Sequence, residues 1–141
     1  MISNSKTSKA LLDKAQAFAD LKGYRLAKQG AVFDPLPTEI YLKEAFLANK
    51  NEMIGNGFDA CIEQKPIYQI DVYTPNGQGG KFPSQDIGDL LMVEFKRAPI
   101  MFDDGEQTVQ ISNVSSNVMP ANKTHNWTMV SVDLIVIATN D

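Results

Sequence analysis

The sequence predicts an α+β fold, a single domain in which two main helices pack on one face of a mainly antiparallel or mixed sheet of four to five strands. Two segments repeat apolar residues at helical spacing, and several others alternate apolar and polar residues as half-buried strands do. Their order is helix, strands, helix, strands, which favours antiparallel pairing with the helices on one side. At 141 residues, the chain can bury a core of its own.

The first helix is predicted from Ser5 to Lys22. Its apolar residues recur at helical spacing, and they are Leu11, Leu12, Ala15, Phe18 and Ala19. Gly23 follows the last turn, where glycine commonly ends a helix. Residues 1–4 precede this helix, and we expect them to be disordered.

The segment that follows is irregular, with a short strand predicted at Ala31–Phe33 between turn-forming glycine and proline residues. Ile40 to Leu47 alternates apolar and polar residues and is predicted to be a strand. Residues 49–60 are polar and contain glycine, so we expect a mobile excursion between two antiparallel strands.

The next strand is predicted over Ile67 to Thr74, and we expect it to extend back to a start near Cys61. One face carries Tyr68, Ile70 and Val72, and the other carries Gln69 and Asp71. Pro66 lacks a backbone donor, which favours an edge position or a bulge at that point. The glycine-rich residues 76–80 then predict a sharp reversal.

The second helix is predicted from Ser84 to Lys96, with Ser84 as its N-cap. Its buried stripe is expected to contain Ile87, Leu90, Leu91 and Phe95. Residues 103–105 predict a tight turn, residues 108–114 a strand, and the polar residues 115–126 a loose hairpin connection. The final strand is predicted from Trp127 to Thr139, and its doubly apolar part favours a central position in the sheet.

Composition excludes several classes of protein. The net charge is −4, and no cluster of Lys and Arg offers the basic surface that nucleic-acid binding requires. No apolar run approaches the length of a membrane span. The lone Cys61 excludes an internal disulfide. We therefore expect neither nucleic-acid readout nor membrane insertion.

Catalytic and metal sites find little support in the sequence. His125 lies in a polar run and is predicted to be a solvated loop residue, while Cys61 is predicted to be a small buried side chain. A Cys61–His125 catalytic pair would require the two to meet across the sheet. The alternative from another class of protein is a small metal-binding or enzymatic centre formed by Asp103, Asp104 and Glu106. A solvated turn explains these three residues better. We expect no catalytic residue and no cofactor.

Residues 68–79 contain a pattern that resembles the tail-terminator and minor tail proteins of tailed bacteriophages. The matching residues are Tyr68-Gln69-Ile70-Asp71-Val72-Tyr73, Pro75, Gly77 and Gly79, followed by a helix. Further similarities, which extend the resemblance over roughly residues 30–139, are Phe33-Asp34-Pro35 with Tyr41-Leu42, Phe95-Lys96-Arg97 before Ile100-Met101-Phe102, and Trp127 before Val130 and Val132. Two features depart from the family pattern: Ala98-Pro99 stands where the family often has glycine, and residues 49–60 contain no family motif.

The resemblance implies a structural protein rather than an enzyme. Such a protein forms a homo-oligomeric ring, expected to be a hexamer, at the head-proximal end of the tail in the virion. It is assembled in the cytoplasm of the bacterial host, ends polymerisation of the tail tube protein and offers a surface to a head-completion or connector protein. A head–tail connector or neck component is the alternative structural role.

Five residues are predicted to contribute to the assembly interface, namely Met53, Ile54, Phe58, Asp71 and Tyr73. The first three are apolar residues in the otherwise polar excursion. They either fold back on the sheet or become ordered against a neighbouring subunit or the tube. Asp71 is unusual in mid-strand, because a buried carboxylate without a partner is costly. Its face is either solvated in the monomer or paired across a subunit boundary.

Overall fold

The structure, a computed structural model, describes residues 2–49, 52–54, 61–77 and 79–139. Within these ranges the chain forms two helices, α1 (Asn4–Lys22) and α2 (Phe82–Lys96). It also forms eight strands, which are β1 (Arg25–Ala27), β2 (Tyr41–Leu47), β3 (Glu52–Ile54), β4 (Cys61–Gln64), β5 (Ile67–Pro75), β6 (Ile100–Asp103), β7 (Gln107–Met119) and β8 (His125–Thr139).

All eight strands belong to one mixed sheet with β8 at its centre. Strands β5 and β4 pair with one side of β8, and β7 pairs with the other side. Outside them lie β2 and β3 on one flank and β6 on the other. Only β1, which pairs with β2, is parallel to its neighbour. The central position predicted for the last strand is confirmed.

Strands β4 and β5 act as one long strand against β8. Gln64 lies opposite Val136 and Ile67 lies opposite Asp133, so the register does not change across Pro66. The carbonyl oxygen of Pro66 accepts a hydrogen bond from the Leu134 backbone N–H at 3.0 Å. The bulge or edge position predicted at Pro66 is therefore wrong, because a proline removes one donor but leaves its carbonyl able to pair.

Helix α1 is capped at both ends as its sequence allows. The Ser3 side chain accepts a hydrogen bond from the Lys6 backbone N–H, and Gly23 closes the helix in the left-handed conformation with φ 75°. The predicted stop at Gly23 is confirmed. Residues 2–4 differ from the disorder expected for them, because Ser3 is the N-cap and Ile2 is buried against the core.

Helix α2 begins two residues before the predicted start, with Lys81 as its N-cap. Ser84 lies inside the first turn, where its hydroxyl donates to the Lys81 carbonyl at 3.0 Å and lies 2.9 Å from the Thr128 hydroxyl. The prediction of Ser84 as the N-cap is wrong, because this side chain ties the helix to β8 instead.

Both helices pack on one face of the sheet. Along β8 this face carries Val130, Val132, Leu134 and Val136, all of which are buried. Tyr68 of β5 contacts Phe95 of α2 on the same side, and Lys14 of α1 lies over the Phe95 ring. The opposite face carries the alternate residues and has no helix against it within the described ranges. We call it the open face.

The predicted α+β class is confirmed, but a sheet of four to five strands was too small. The four strands missed outright or left uncertain, β1, β3, β4 and β6, have only three or four residues each, too few for a period-2 pattern to be recognised. The strand predicted at Ala31–Phe33 is absent, since this segment is irregular. The loose hairpin predicted over residues 115–126 is mostly strand, and only residues 120–124 connect β7 to β8.

Candidate assembly surfaces

Strand β3 is an exposed edge of the sheet. It pairs with β4 on one side, and no strand of the described chain lies on its other side. Met53 is 64% exposed and Ile54 is 39% exposed, although both are apolar. Neither folds back onto the sheet core. Phe58, the third apolar residue predicted here, lies outside the described residues.

Asp71 lies on the open face near the middle of β5 and is only 8% exposed. The interpretation that its face is solvated in the monomer is therefore wrong. Burial raises the pKa of Asp71 above its usual value of 3.8, while a hydrogen bond from Gln69 and the charge of Lys43 act in the opposite direction. The Gln69 amide nitrogen donates to its carboxylate at 3.0 Å, and Lys43 is its cross-strand neighbour on β2.

Tyr73 belongs to a ladder of aromatic rings that crosses three strands of the open face. Its ring stacks on Tyr41 at 4.6 Å between centroids and on Trp127 at 5.3 Å. Phe33, from the segment between β1 and β2, extends the ladder at 5.2 Å from Tyr41. The register sets Tyr41, Tyr73 and Trp127 directly opposite one another, so sequence spacing alone could not reveal the stack.

His125 is buried, with an exposure of 1%, so its prediction as a solvated loop residue is wrong. Its ring meets the edges of Tyr41 and Tyr73. Nε2 lies 2.8 Å from the Glu39 carbonyl oxygen, which can only accept, so Nε2 is the donor of this hydrogen bond. Nδ1 lies 2.8 Å from the Thr124 hydroxyl.

The Glu39 carboxylate holds the same segment in place through Arg25. The Arg25 guanidinium donates two hydrogen bonds to it, and this contact is the main cause that lowers the pKa of Glu39 to about 2. The guanidinium also lies 4.5 Å from the Phe33 ring centroid. The Arg25–Glu39 ion pair therefore lies at the Phe33 end of the aromatic ladder.

The structure does not bring Cys61 and His125 together. Cys61 pairs with Thr139, and His125 pairs with Pro75. Thr139 and His125 are the two ends of β8, which at about 3.3 Å per residue lie on the order of 45 Å apart. A catalytic Cys61–His125 pair is therefore excluded by the sheet register.

The acidic turn at residues 103–106 uses its carboxylates locally. Asp104 Oδ1 accepts from the backbone N–H groups of Glu106 and Gln107, and Asp104 Oδ2 lies 2.8 Å from Lys6 Nζ. The Lys6 contact is the largest cause that lowers the pKa of Asp104 to about 2. Asp103 accepts from the Gly105 N–H at 3.0 Å. In the described ranges no group of three potential ligand side chains is close enough to hold a metal.

Strand β6 is the other edge of the sheet, across from β3. It pairs only with β7 among the described strands, and Ile100 on it is 57% exposed. An open groove of about 260 Å³ lies between α1 and β6. The residues that line it are Lys6, Lys9, Ala10, Asp13 and Phe102. Sequence reasoning did not single out this edge, because β6 was not predicted to be a strand.

Neither helix in the described part of the chain is long and apolar enough to span a bilayer. Comparison with curated proteins gives no match.

Comparison with solved structures and family models identifies the fold and the family. One solved structure is similar with a TM-score of 0.72 at 15% identity, and the match covers 100% of this chain and 98% of the other. At that identity the likeness shows the shared fold alone. The family model described as phage tail terminator protein matches residues 6–134. Because this match spans most of the chain, the protein belongs to the phage tail terminator family.

Proposed function

We propose that the protein forms a closed ring on the head-proximal end of a phage tail tube, ends tube polymerisation there and offers a surface for joining the head. Family membership gives the coarser part of this role, a structural part in phage tail assembly and a place in the virion tail. The ring, its expected six-fold symmetry and its position on the tube are the proposal.

The mechanism is geometric and needs no chemical step. A tube grows because each subunit leaves an unused contact surface for the next one. A ring whose subunits meet head to tail uses up these contacts within itself, because each surface meets its complement on the neighbouring copy. Such a ring stops growth on the face that covers the tube, while the other face remains for the head.

The observation that carries the proposal beyond the family match is the exposed apolar edge of β3. Proteins usually protect an exposed edge strand with charges, proline or a covering segment, because its free backbone groups can pair with another chain. Here two of the three β3 residues, Met53 and Ile54, are apolar and exposed. A surface of this kind is expected where another subunit or the tube binds.

The proposed partners are other copies of this chain, the tail tube protein and a head-completion or connector protein, which meet in the cytoplasm of the host. Met53 and Ile54 are the interface residues that we propose on the basis of exposure. Asp71 and Tyr73 remain predicted interface residues. Each is less than a tenth exposed in the single chain, so they would act by holding the open face in shape.

The test is the effect of the purified protein on polymerising tail tube protein from the same phage, with tube length measured by electron microscopy. The wild-type protein is expected to halt elongation and to leave a ring at one tube end. Its native mass, measured by light scattering over a concentration series, is expected to show a discrete oligomer alone or on capped tubes. Met53→Asp is expected to abolish both effects, because it places a charge in an apolar contact.

Two matched variants make the result specific to β3. Val32→Asp changes another exposed apolar residue, which lies in the segment between β1 and β2 and not on β3, and is expected to behave as wild type. Met53→Leu keeps an apolar side chain and is expected to retain capping, while circular dichroism checks that each variant is folded. Tubes of unchanged length with wild-type protein would contradict the terminator role, and binding to head connectors instead would indicate the neck role.

A further inference from the structure

We propose that the ring closes by sheet continuation, with β3 of one copy adding in parallel to the free edge of β6 in the next copy and Met53 seated in the groove between α1 and β6. This inference rests on the proposed ring function and names its contact. The proposed contact joins the β3 edge of one copy to the β6 edge of the next, two surfaces that differ in composition and lie at opposite edges of the sheet.

The strand directions of the sheet fit this arrangement. β3 is antiparallel to β4, and β4 is antiparallel to β8. On the other side β8 is antiparallel to β7, and β7 is antiparallel to β6. Strands β3 and β6 therefore run in the same direction. A rotation about an axis along the strands preserves this direction and brings the β6 edge of one copy beside the β3 edge of the next.

The two edges also lie at nearly the same height on the sheet. Glu52 of β3 and Asp103 of β6 belong to one row across the strands. The register links them through Glu63, Ile137 and Thr108. Copies placed side by side can therefore meet edge to edge with only a small stagger along the strands, which a closed ring accommodates when its strands tilt from the ring axis.

Charge selects the register of this contact. With no stagger, Glu52 would face Asp103 of the neighbouring copy, and like charges directly opposite are destabilising. Because side chains alternate between faces, a stagger must span an even number of residues to keep the sheet faces aligned. The smallest such shift that keeps β3 beside β6 sets Met53 beside Phe102. It sets Glu52 beside Ile100, because Met101 is an extra residue in the pairing of β6 with β7. Strand stagger of this kind accompanies any closed sheet whose strands tilt from its axis.

The groove suits the side chain that this register delivers to it. Met53 and Phe102 both lie on the helix-covered side of the sheet, as their pairing with Ile62 and Val109 shows. Methionine is flexible and its sulfur makes favourable contacts with aromatic rings, so it fills irregular gaps well. Glu52, the neighbour of Met53 in β3, points to the opposite face of the sheet, so Met53 is the β3 side chain of this pair that faces the groove.

Disulfide trapping between two proteins that each carry one introduced cysteine tests the contact. Both carry Cys61→Ala, one adds Met53→Cys and the other adds Phe102→Cys or, as a second position on the groove, Ala10→Cys. The control replaces the groove cysteine with Leu21→Cys, an exposed site near the far end of α1. The mixture is oxidised alone and on capped tubes, and native mass is measured on the same samples.

We expect the Met53→Cys protein to cross-link to a groove cysteine with a yield about tenfold above the Leu21→Cys control, since a disulfide forms only between neighbouring Cα atoms. Each protein oxidised alone is expected to give no such product. Rings of wild-type mass without cross-links at either groove position would overturn this inference and leave the proposed function intact. Absence of any oligomer, both in solution and on tubes, would overturn both.

Discussion

Asp71 is a carboxylate in the middle of a sheet whose surroundings oppose its charge. Asp71 is buried on the open face, and its compensation comes from one amide donor and the nearby charge of Lys43. Desolvation dominates, so the pKa of Asp71 lies above its usual value. A group with a raised carboxyl pKa makes the folded state less stable once it ionises.

The free energy of unfolding is expected to fall as pH rises through the titration of Asp71. Below pH 3.8, the usual value for the Asp71 carboxyl, both the folded and the unfolded chain hold the proton and the penalty is absent. As pH rises above 3.8 the unfolded chain loses its proton first, so the free energy of unfolding falls through this window. Asp71→Asn removes the titration and can still accept from Gln69. It is expected to raise the melting temperature by a few degrees at neutral pH and to change it little at about pH 3.

Thermal unfolding of the two proteins at both pH values measures this difference. Equal melting temperatures at neutral pH would show that the surroundings of Asp71 compensate its charge fully. The oligomer mass of Asp71→Asn gives a separate answer. If it equals that of wild type, Asp71 does not pair with a cation across the subunit boundary.

The contact between α2 and β8 is the closest helix–sheet approach that the glycines reveal. A Cβ added at Gly88 would lie 3.1 Å from Thr128 Cγ2, nearer than ordinary packing allows. Thr128 cannot turn away freely. The Ser84 hydroxyl uses its single hydrogen on the Lys81 carbonyl, so it accepts the hydrogen bond from the Thr128 hydroxyl. Position 88 therefore allows α2 to lie close to the sheet.

A pair of substitutions separates this contact from helix propensity. Gly88→Ala alone is expected to lower the free energy of unfolding by about 1–2 kcal/mol, because overpacking outweighs the gain in helix propensity. In a Thr128→Ser background, which removes the methyl group and keeps the hydroxyl, the same change is expected to stabilise by up to about 1 kcal/mol, the difference in helix propensity between alanine and glycine.

Urea unfolding of the four proteins in this cycle gives the coupling directly. If Gly88→Ala has the same effect in both backgrounds, the Thr128 methyl group is not what keeps position 88 small.

The whole molecule is built around β8, which is paired on both sides over most of its length. Its buried side chains also contact α2. Strands β3 and β6 have a single strand neighbour each within the described chain. Stability is therefore expected to fall from the centre of the sheet to its two edges, which are the parts that the proposed ring would complete.

Hydrogen exchange can follow this gradient before and after assembly. In the monomer, the amides of β8 are expected to exchange slowest and those of β3 and β6 fastest, because local opening depends on how many contacts an element must break. On capped tubes, residues 52–54 and 100–103 are expected to gain protection together. Protection gained at only one of these edges would contradict pairing between them.

The larger elements and the family were predictable, and the shared reason is that their signals are local. Both helices, β2, β5 and β8 have enough residues for a period to be recognised, and Gly23 ends α1 as its type requires. The short strands β1, β3 and β6 were missed because three or four residues form strand only when a neighbour offers a backbone to pair with. The burial of His125 and the stacking of Tyr73 could not be predicted for a similar reason. Both depend on the register between strands that are distant in the sequence.

Periodicity and turn residues are enough to predict the α+β class and the main elements, and the motif near Tyr73 is enough to indicate the resemblance to tail terminator proteins, because each signal lies in neighbouring residues. The pairing order of the sheet establishes what neighbouring residues cannot. It separates Cys61 from His125, gathers the aromatic ladder and leaves β3 and β6 as opposite open edges, while the packing of α1 brings Lys6 to Asp104. Each of these features depends on residues far apart in the chain, so it exists only once the strands are in register and the helices are packed.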